Sequence, residues 1–95
     1  MDFISVGYGN IVNVSRIIAV TSANSAPAKR TINEAKENGR CVDATQGRRT
    51  KAILVMDSDH VVLSALHVST LLLRLEEVAK GAAAFEDEDD EEDED

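Results

Sequence analysis

The apolar residues of the chain fall into short runs rich in β-branched side chains, and this pattern predicts a succession of strands. Turn-forming residues separate the runs, in GYGN after the first, at Gln46-Gly47 and in the acidic DSD stretch at 57–59. The predicted strands are residues 3–6, 11–14, 16–21, 41–45, 51–56 and 60–66.

A first helix is predicted between the third and fourth strands, from Ala26 to about Asn38. Asn24 or Ser25 can cap its N-terminus, Pro27 is tolerated in its first turn, and Gly39 is suited to end it. Its apolar stripe, formed by Ala28, Ile32 and Ala35, is thin. A largely basic face lies beside the stripe, which is compatible with an ordinary solvated face or with binding of an anionic partner. That face consists of Lys29, Asn33, Lys36 and Arg40.

A second helix is predicted over about 71–80, with Ser69 or Thr70 as its N-cap. Its apolar stripe leaves out Leu73 and consists of Leu71, Leu72, Leu75, Val78, Ala79 and Ala82. Strands 51–56 and 60–66 are apolar on both faces, whereas an antiparallel sheet usually keeps one wet face. Two explanations stay open: the second helix covers one face and the first strands the other, or a subunit interface does so. The pattern as a whole predicts an α+β fold, a small antiparallel sheet with two helices.

Charge divides the 95-residue chain into two parts. Residues 86–95 are all acidic, and such a run repels itself and has no apolar surface to bury. We therefore expect a folded domain over 1–80 and a disordered acidic C-terminal tail over 81–95. The formal net charge of −8 hides a basic centre, because Arg16–Lys51 contains eight bases and three acids. A core this small is marginal alone, which favours oligomerisation.

The adjacent Arg48 and Arg49 follow the predicted turn at Gln46-Gly47, where both can project outward. A guanidinium matches phosphate oxygens, or the O6/N7 edge of guanine, with paired hydrogen bonds. Lys51 can add a phosphate contact, and Arg16 is expected to flank the same surface. Composition alone equally allows a solubilising loop or a subunit salt bridge to the acidic turn at 57–59.

Catalysis has little support in the sequence, and we expect no enzyme, cofactor or metal site. Asp57, Asp59 and His60 could imitate a metal-ligand cluster, but they coincide with a required hairpin turn. Cys41 is the single cysteine, which fits a reducing cytoplasm, and a buried strand position is favoured over a thiol activated by Arg40. The chain shows neither a signal peptide nor an apolar stretch of membrane-spanning length, so no membrane association is expected.

Four motifs resemble the RemA family of small bacterial extracellular-matrix regulators: GYGNIV, SAPAKR, VDATQGRRTKA and VMDSDHVVLSA. The resemblance runs from about Phe3 to Leu66, and DATxGRRT followed by MDSDH is long and specific. The acidic run is not part of the family pattern, and the final helix resembles it less closely.

The resemblance implies a cytoplasmic, nucleoid-associated regulator that binds double-stranded DNA and activates biofilm-matrix genes. It implies a fold similar to half of a LytTR-type DNA-binding domain and a homo-oligomeric ring, a heptamer or octamer, with DNA around its outside. Arg16, Arg48 and Arg49 occupy the family's DNA-binding positions, and Lys29 and Arg30 of SAPAKR are further candidates.

Three functions are therefore weighed. The leading one is a DNA-binding transcriptional regulator. The others are an architectural protein that bends DNA with little sequence preference, and an interaction scaffold whose arginines hold subunits together. The acidic tail could compete with phosphate for the arginines, or it could serve solubility.

Overall fold

The computed structural model describes residues 2–81. Within this part of the chain the order of strands and helices is the predicted one. The elements are β1 (Phe3–Gly7), β2 (Asn10–Asn13), a short 3₁₀ helix (Val14–Arg16), β3 (Ile17–Ser22), α1 (Ala26–Glu37), β4 (Cys41–Asp43), β5 (Ala52–Met56), β6 (Val61–Ser64) and α2 (Val68–Ala79). The predicted acidic tail lies almost wholly outside the described residues.

Element boundaries differ from the prediction where short polar side chains act on the backbone. The Asn13 side chain accepts a hydrogen bond from the Ser15 N–H, which turns the chain into the 3₁₀ helix and removes Arg16 from the predicted third strand. Ser25 caps α1 as one of the two expected residues, bonding the Ala28 N–H at 3.2 Å. The predicted cap of the second helix is wrong, because α2 begins at Val68 and His67 is its N-cap.

The larger sheet is mixed, so the prediction of a purely antiparallel sheet is wrong. β1 and β2 form a separate antiparallel pair, and the larger sheet has the strand order β3-β5-β6-β4 with β4 parallel to β6. The direction of β4 follows from α1: a helical crossover returns the chain to the end of the sheet where β3 began. β4 therefore runs in the direction of β3, which is also the direction of β6.

Both faces of the central strands are buried by this same chain, but not in the predicted way. One face, with Ala52 and Leu54, packs against the β1–β2 pair and against α2. The other face, with Ile53 and Leu63, packs against the apolar stripe of α1. The first strands and the second helix thus share one face, and α1, despite its thin stripe, covers the other. Apolarity on both faces of β5 and β6 therefore requires no subunit interface on these strands.

A buried serine fastens the β1–β2 pair to the main sheet. The Ser64 hydroxyl donates to the Val6 carbonyl at 2.9 Å and accepts from the Leu66 N–H at 3.0 Å. Next to it, Gly7 has a φ of 107°, and a Cβ built there would lie 3.3 Å from the Leu66 side chain. The turn that follows β1 is therefore held close to the start of α2.

The main sheet has two chemically different ends. We call the end marked by the paired residues Ser22, Ala52 and Ser64 the upper end, and the end at the β5–β6 turn the lower end. β3, β4 and β6 all finish at the upper end, and α1 and α2 both begin there. The loop from β4 to β5, which carries the adjacent arginines, lies at that end as well.

Candidate nucleic-acid interface

The loop between β4 and β5, residues 44–51, starts from a turn held by hydrogen bonds, and we call it the arginine loop. The Thr45 hydroxyl and N–H both bond the Asp43 carboxylate, at 2.6 and 2.9 Å, and these bonds lower the pKa of Asp43. The Arg48 N–H then bonds the Thr45 carbonyl at 3.0 Å across Gln46-Gly47, whose φ values of 54° and 80° are both positive. Two left-handed residues in succession make the tight turn that the sequence predicted. Arg48 and Arg49 follow it, and both are exposed.

Lys51 is placed by the sheet itself. Its N–H donates to the Ser64 carbonyl at 2.9 Å, and its carbonyl accepts from the Ala23 N–H at 3.1 Å. The backbone of Lys51 therefore extends the hydrogen-bond ladder of β3, β5 and β6 by one residue beyond the strands. The half-buried side chain starts from a rigid position at the upper end.

Three of the predicted site residues meet in one cleft at the upper end, with a volume of about 380 Å³. They come from separate parts of the chain. Lys29 lies in the first turn of α1, Arg49 lies in the arginine loop, and Lys51 directly precedes β5. The remaining lining residues are Ser22, Ala23, Asn24, Thr50 and His67. Among residues 2–81, the lining includes three basic side chains and no Asp or Glu. We call this the basic cleft.

Arg48 lies against an aromatic ring. Its guanidinium carbon is 4.3 Å from the centroid of the Tyr8 ring, within the range of a cation–π contact. Tyr8 has a φ of 56°, and the Asn10 side-chain amide bonds the carbonyls of Gly7 and Tyr8 at 3.0 and 3.2 Å. Asn10 thus stabilises the turn that presents the ring. The Tyr8 ring therefore contacts Arg48 within this chain.

Arg16 is not brought to this cleft. It lies at the lower end, where its guanidinium is 3.4 Å from the Asp57 carboxylate. Ser22, the last residue of β3, lies six residue steps beyond Arg16, a distance of roughly 20 Å at about 3.3 Å per residue. The expectation that Arg16 flanks the surface of Arg48 and Arg49 therefore does not hold within one chain.

The basic face of α1 is exposed as predicted, and it connects the two ends of the sheet. Lys29 lines the basic cleft at the upper end, and Arg40, just after α1, lines a shallower depression at the lower end together with Asp59. Arg30 is exposed on α1 but is not part of the cleft lining. Of the two SAPAKR candidates, Lys29 is thus the one placed beside the arginine loop.

The N-termini of α1 and α2 add partial positive charge at the upper end of the sheet. A helix N-terminus carries a partial positive charge, which acidic residues in the first turn usually offset. The first turns of α1 and α2 contain no acidic residue. His67 makes no side-chain capping bond to α2. His67, directly before α2, is a residue of the basic cleft that the sequence pattern did not indicate.

The structure does not support the two other candidate sites, the metal-ligand cluster at 57–60 and the reactive thiol of Cys41. Residues 2–81 contain no group of three or more His, Cys, Asp or Glu side chains arranged to hold a metal ion. Burial raises the pKa of the Cys41 thiol, an effect that nearby Lys36 opposes and Asp43 reinforces. This direction is opposite to that of an activated thiol, and Cys41 itself is half-buried and not fully buried as expected. No helix among the described residues is long and apolar enough to cross a membrane.

Comparison with known proteins gives a consistent result. Residues 3–75 match the model of the RemA-like family, described as extracellular matrix regulatory protein A-like. A protein of Geobacillus kaustophilus is 55% identical over 75 residues, covering 79% of this chain and 86% of its own. Relatives from Symbiobacterium thermophilum and Acetivibrio thermocellus are 51% and 49% identical, and cover 94% and 97% of both chains. All three carry names that propose a regulatory role.

Proposed function

The chain belongs to the RemA-like family of regulatory proteins, and from this premise we propose that it is a transcriptional regulator that binds double-stranded DNA as a ring-shaped homo-oligomer in the cytoplasm. The family description makes extracellular-matrix genes the first targets to test. The observation that carries the proposal is the basic cleft with Arg48 beside it: four cationic side chains at one end of a small domain.

This arrangement suits a phosphate backbone better than it suits a protein surface. Phosphates recur along a duplex at short intervals, so several cations on one face can each meet one. Arginine guanidinium groups bond phosphate oxygens in pairs, and lysines add point charges. Contacts of this kind position a protein on DNA, while Arg48 or Arg49 can additionally reach a guanine edge.

One copy offers few phosphate contacts, and this is the physical reason for proposing an oligomer. Affinity rises with the number of phosphates neutralised, since each contact releases condensed counterions. A ring repeats the upper end once per copy and favours a curved duplex, because bending is offset by additional contacts.

Surface features available for self-association support the oligomer. In the described part of the chain, β3 pairs only with β5 and so leaves one edge open. Ile18, the bulged residue of that edge strand, is 66% exposed, and Leu72 and Leu73 are exposed on α2. Open edges and exposed apolar side chains are features that natural proteins usually cover by pairing or packing.

The experiment is DNA binding by fluorescence anisotropy over a salt series, for wild type and for the double variant Arg48→Ala/Arg49→Ala. Lys80→Ala, a basic residue at the far end of α2, is the matched control. Light scattering on the same samples gives the mass of the assembly.

We expect wild type to bind with a steep salt dependence, and the double variant to lose binding while keeping its mass. Absence of DNA binding by wild type would refute the regulator. If the double variant falls apart instead, the arginines hold subunits together and the protein is an interaction scaffold. Genome-wide occupancy without preferred sites would favour an architectural protein over a regulator of particular operons.

A further inference from the structure

We propose that the basic cleft is a binding site for one phosphoryl group, with Lys29, Lys51 and His67 as binding residues in addition to Arg49. The group can come from the DNA backbone or from a free nucleotide, and the proposal rests on the proposed function only in the case of DNA. A backbone phosphate of DNA and the phosphate of a free nucleotide present the same chemistry to the cleft.

The first argument is convergence. Lys29, Arg49 and Lys51 lie in three segments that have no reason to share a surface unless the fold brings them together. An anion in the cleft would lie near all three cationic side chains, and charge-assisted hydrogen bonds are among the strongest that a protein makes.

The second argument is the direction of the backbone dipoles. Asn24, two residues before α1, and His67, the N-cap of α2, both line the cleft, so the N-termini of two 12-residue helices lie beside it. Backbone N–H groups at such ends bind phosphate and sulfate in many proteins. Because the His67 side chain makes no capping bond, its imidazole is available to donate an N–H to a ligand.

The third argument concerns which part of a ligand the cleft can recognise. Its neutral lining includes the hydroxyl groups of Ser22 and Thr50, which are suited to phosphoryl oxygens, and only Ala23 is apolar. No Phe, Tyr or Trp among the described residues lines it, so the His67 ring, assigned here to the phosphoryl group, is the one aromatic ring of the lining on which a base could stack. The volume of about 380 Å³ lies at the low end of the roughly 300–1,000 Å³ range of small-ligand sites. The cleft therefore fits a phosphoryl group and the sugar next to it, with the base outside.

The test uses the full chain and three probes: inorganic phosphate, AMP and a short DNA duplex, with chloride added to keep ionic strength equal. Binding is followed by NMR, on the backbone amides of Val68 and Ser69 and on the His67 ring, and by anisotropy for the duplex. Lys29→Gln and Lys51→Gln are the test variants. Lys36→Gln, on the same basic face of α1 but outside the cleft, is the control. Two test variants are used because the Lys51 backbone belongs to the ladder, whereas Lys29 is an exposed helix residue.

We expect saturable shifts at α2 with inorganic phosphate in wild type and in the control, and affinities lower by roughly tenfold in each test variant, as for the loss of one charge-assisted hydrogen bond. If DNA affinity falls in parallel while AMP binds no better than inorganic phosphate, the natural source is the DNA backbone. If AMP binds more tightly and displaces DNA, the source is a free nucleotide. Both results support the cleft.

Phosphate affinities equal to wild type in both test variants, or shifts that are absent at α2, would overturn the proposal. This failure is distinct from failure of the proposed function. DNA binding that depends on Arg48 and Arg49 but not on the two lysines would remove the cleft and leave the regulator. No DNA binding with intact phosphate binding would remove the regulator and leave the cleft.

Discussion

Replacing Ser64 by alanine should destabilise the fold far more than the loss of one oxygen atom suggests. Ser64 is completely buried, and its hydroxyl bonds both the Val6 carbonyl and the Leu66 N–H. Ser64 and Val6 are 58 positions apart in the sequence. Alanine would deprive both backbone groups of this partner in a place that water cannot reach. Each unsatisfied buried group costs about 1–3 kcal/mol, so we expect a loss of roughly 2–4 kcal/mol.

Urea denaturation followed by circular dichroism measures this loss as a shift of the midpoint at constant slope. For a domain of this size the melting temperature should fall by roughly 8–32 °C, since 1 kcal/mol corresponds to about 4–8 °C. Ser69→Ala, an exposed serine inside α2, is the control and should stay within about 0.5 kcal/mol of wild type. A Ser64→Ala protein as stable as the control would show that the bridge between the β1–β2 pair and the main sheet contributes little.

Three shorter predictions concern the surface. Tyr8→Leu should weaken DNA binding by roughly two- to fivefold in anisotropy, because a cation–π contact of about 0.5–1 kcal/mol no longer orients Arg48. Tyr8→Phe should bind DNA like wild type, and equal affinity of all three proteins would contradict this prediction. Removing the acidic residues 86–95 should tighten DNA binding at low salt, with a gain that fades as salt screens the competition; a gain independent of salt would exclude an electrostatic origin. The Cys41 thiol should react with iodoacetamide more slowly at pH 8 than a free cysteine, since its raised pKa leaves less thiolate, and unfolding in urea should remove the difference.

The sequence was sufficient for those features that depend on neighbouring residues. Helical spacing predicted α1 with its Ser25 cap, and Gln46-Gly47 predicted the turn before the arginines. The direction of β4 could not be predicted from its own residues, because a three-residue strand has the same sequence pattern in a parallel and in an antiparallel pair. Only the position of α1 as a crossover decides between them.

The candidate site divides in the same way. Arg48 and Arg49 are adjacent, so composition and resemblance both point to them. The joining of Lys29 and Lys51 with Arg49 depends on the upper ends of β3 and β5 meeting, which no local pattern encodes. His67 could have been suspected only from the helix boundary, and the prediction placed that boundary too late because Ser69 and Thr70 are better capping residues than histidine.

Counting arginines gives Arg16 the same weight as Arg48 and Arg49, but the structure gives the three different surroundings. A phosphate that approaches Arg16 has to compete with the carboxylate of Asp57, which already lies 3.4 Å from the guanidinium. A phosphate at the upper end meets three basic side chains in the cleft and an Arg48 that lies against a neutral ring. Surface ion pairs are weak, so Asp57 lowers the gain at Arg16 without abolishing it. The upper end should therefore supply most of the affinity of each copy, with Arg16 as a second and weaker contact roughly 20 Å away along β3.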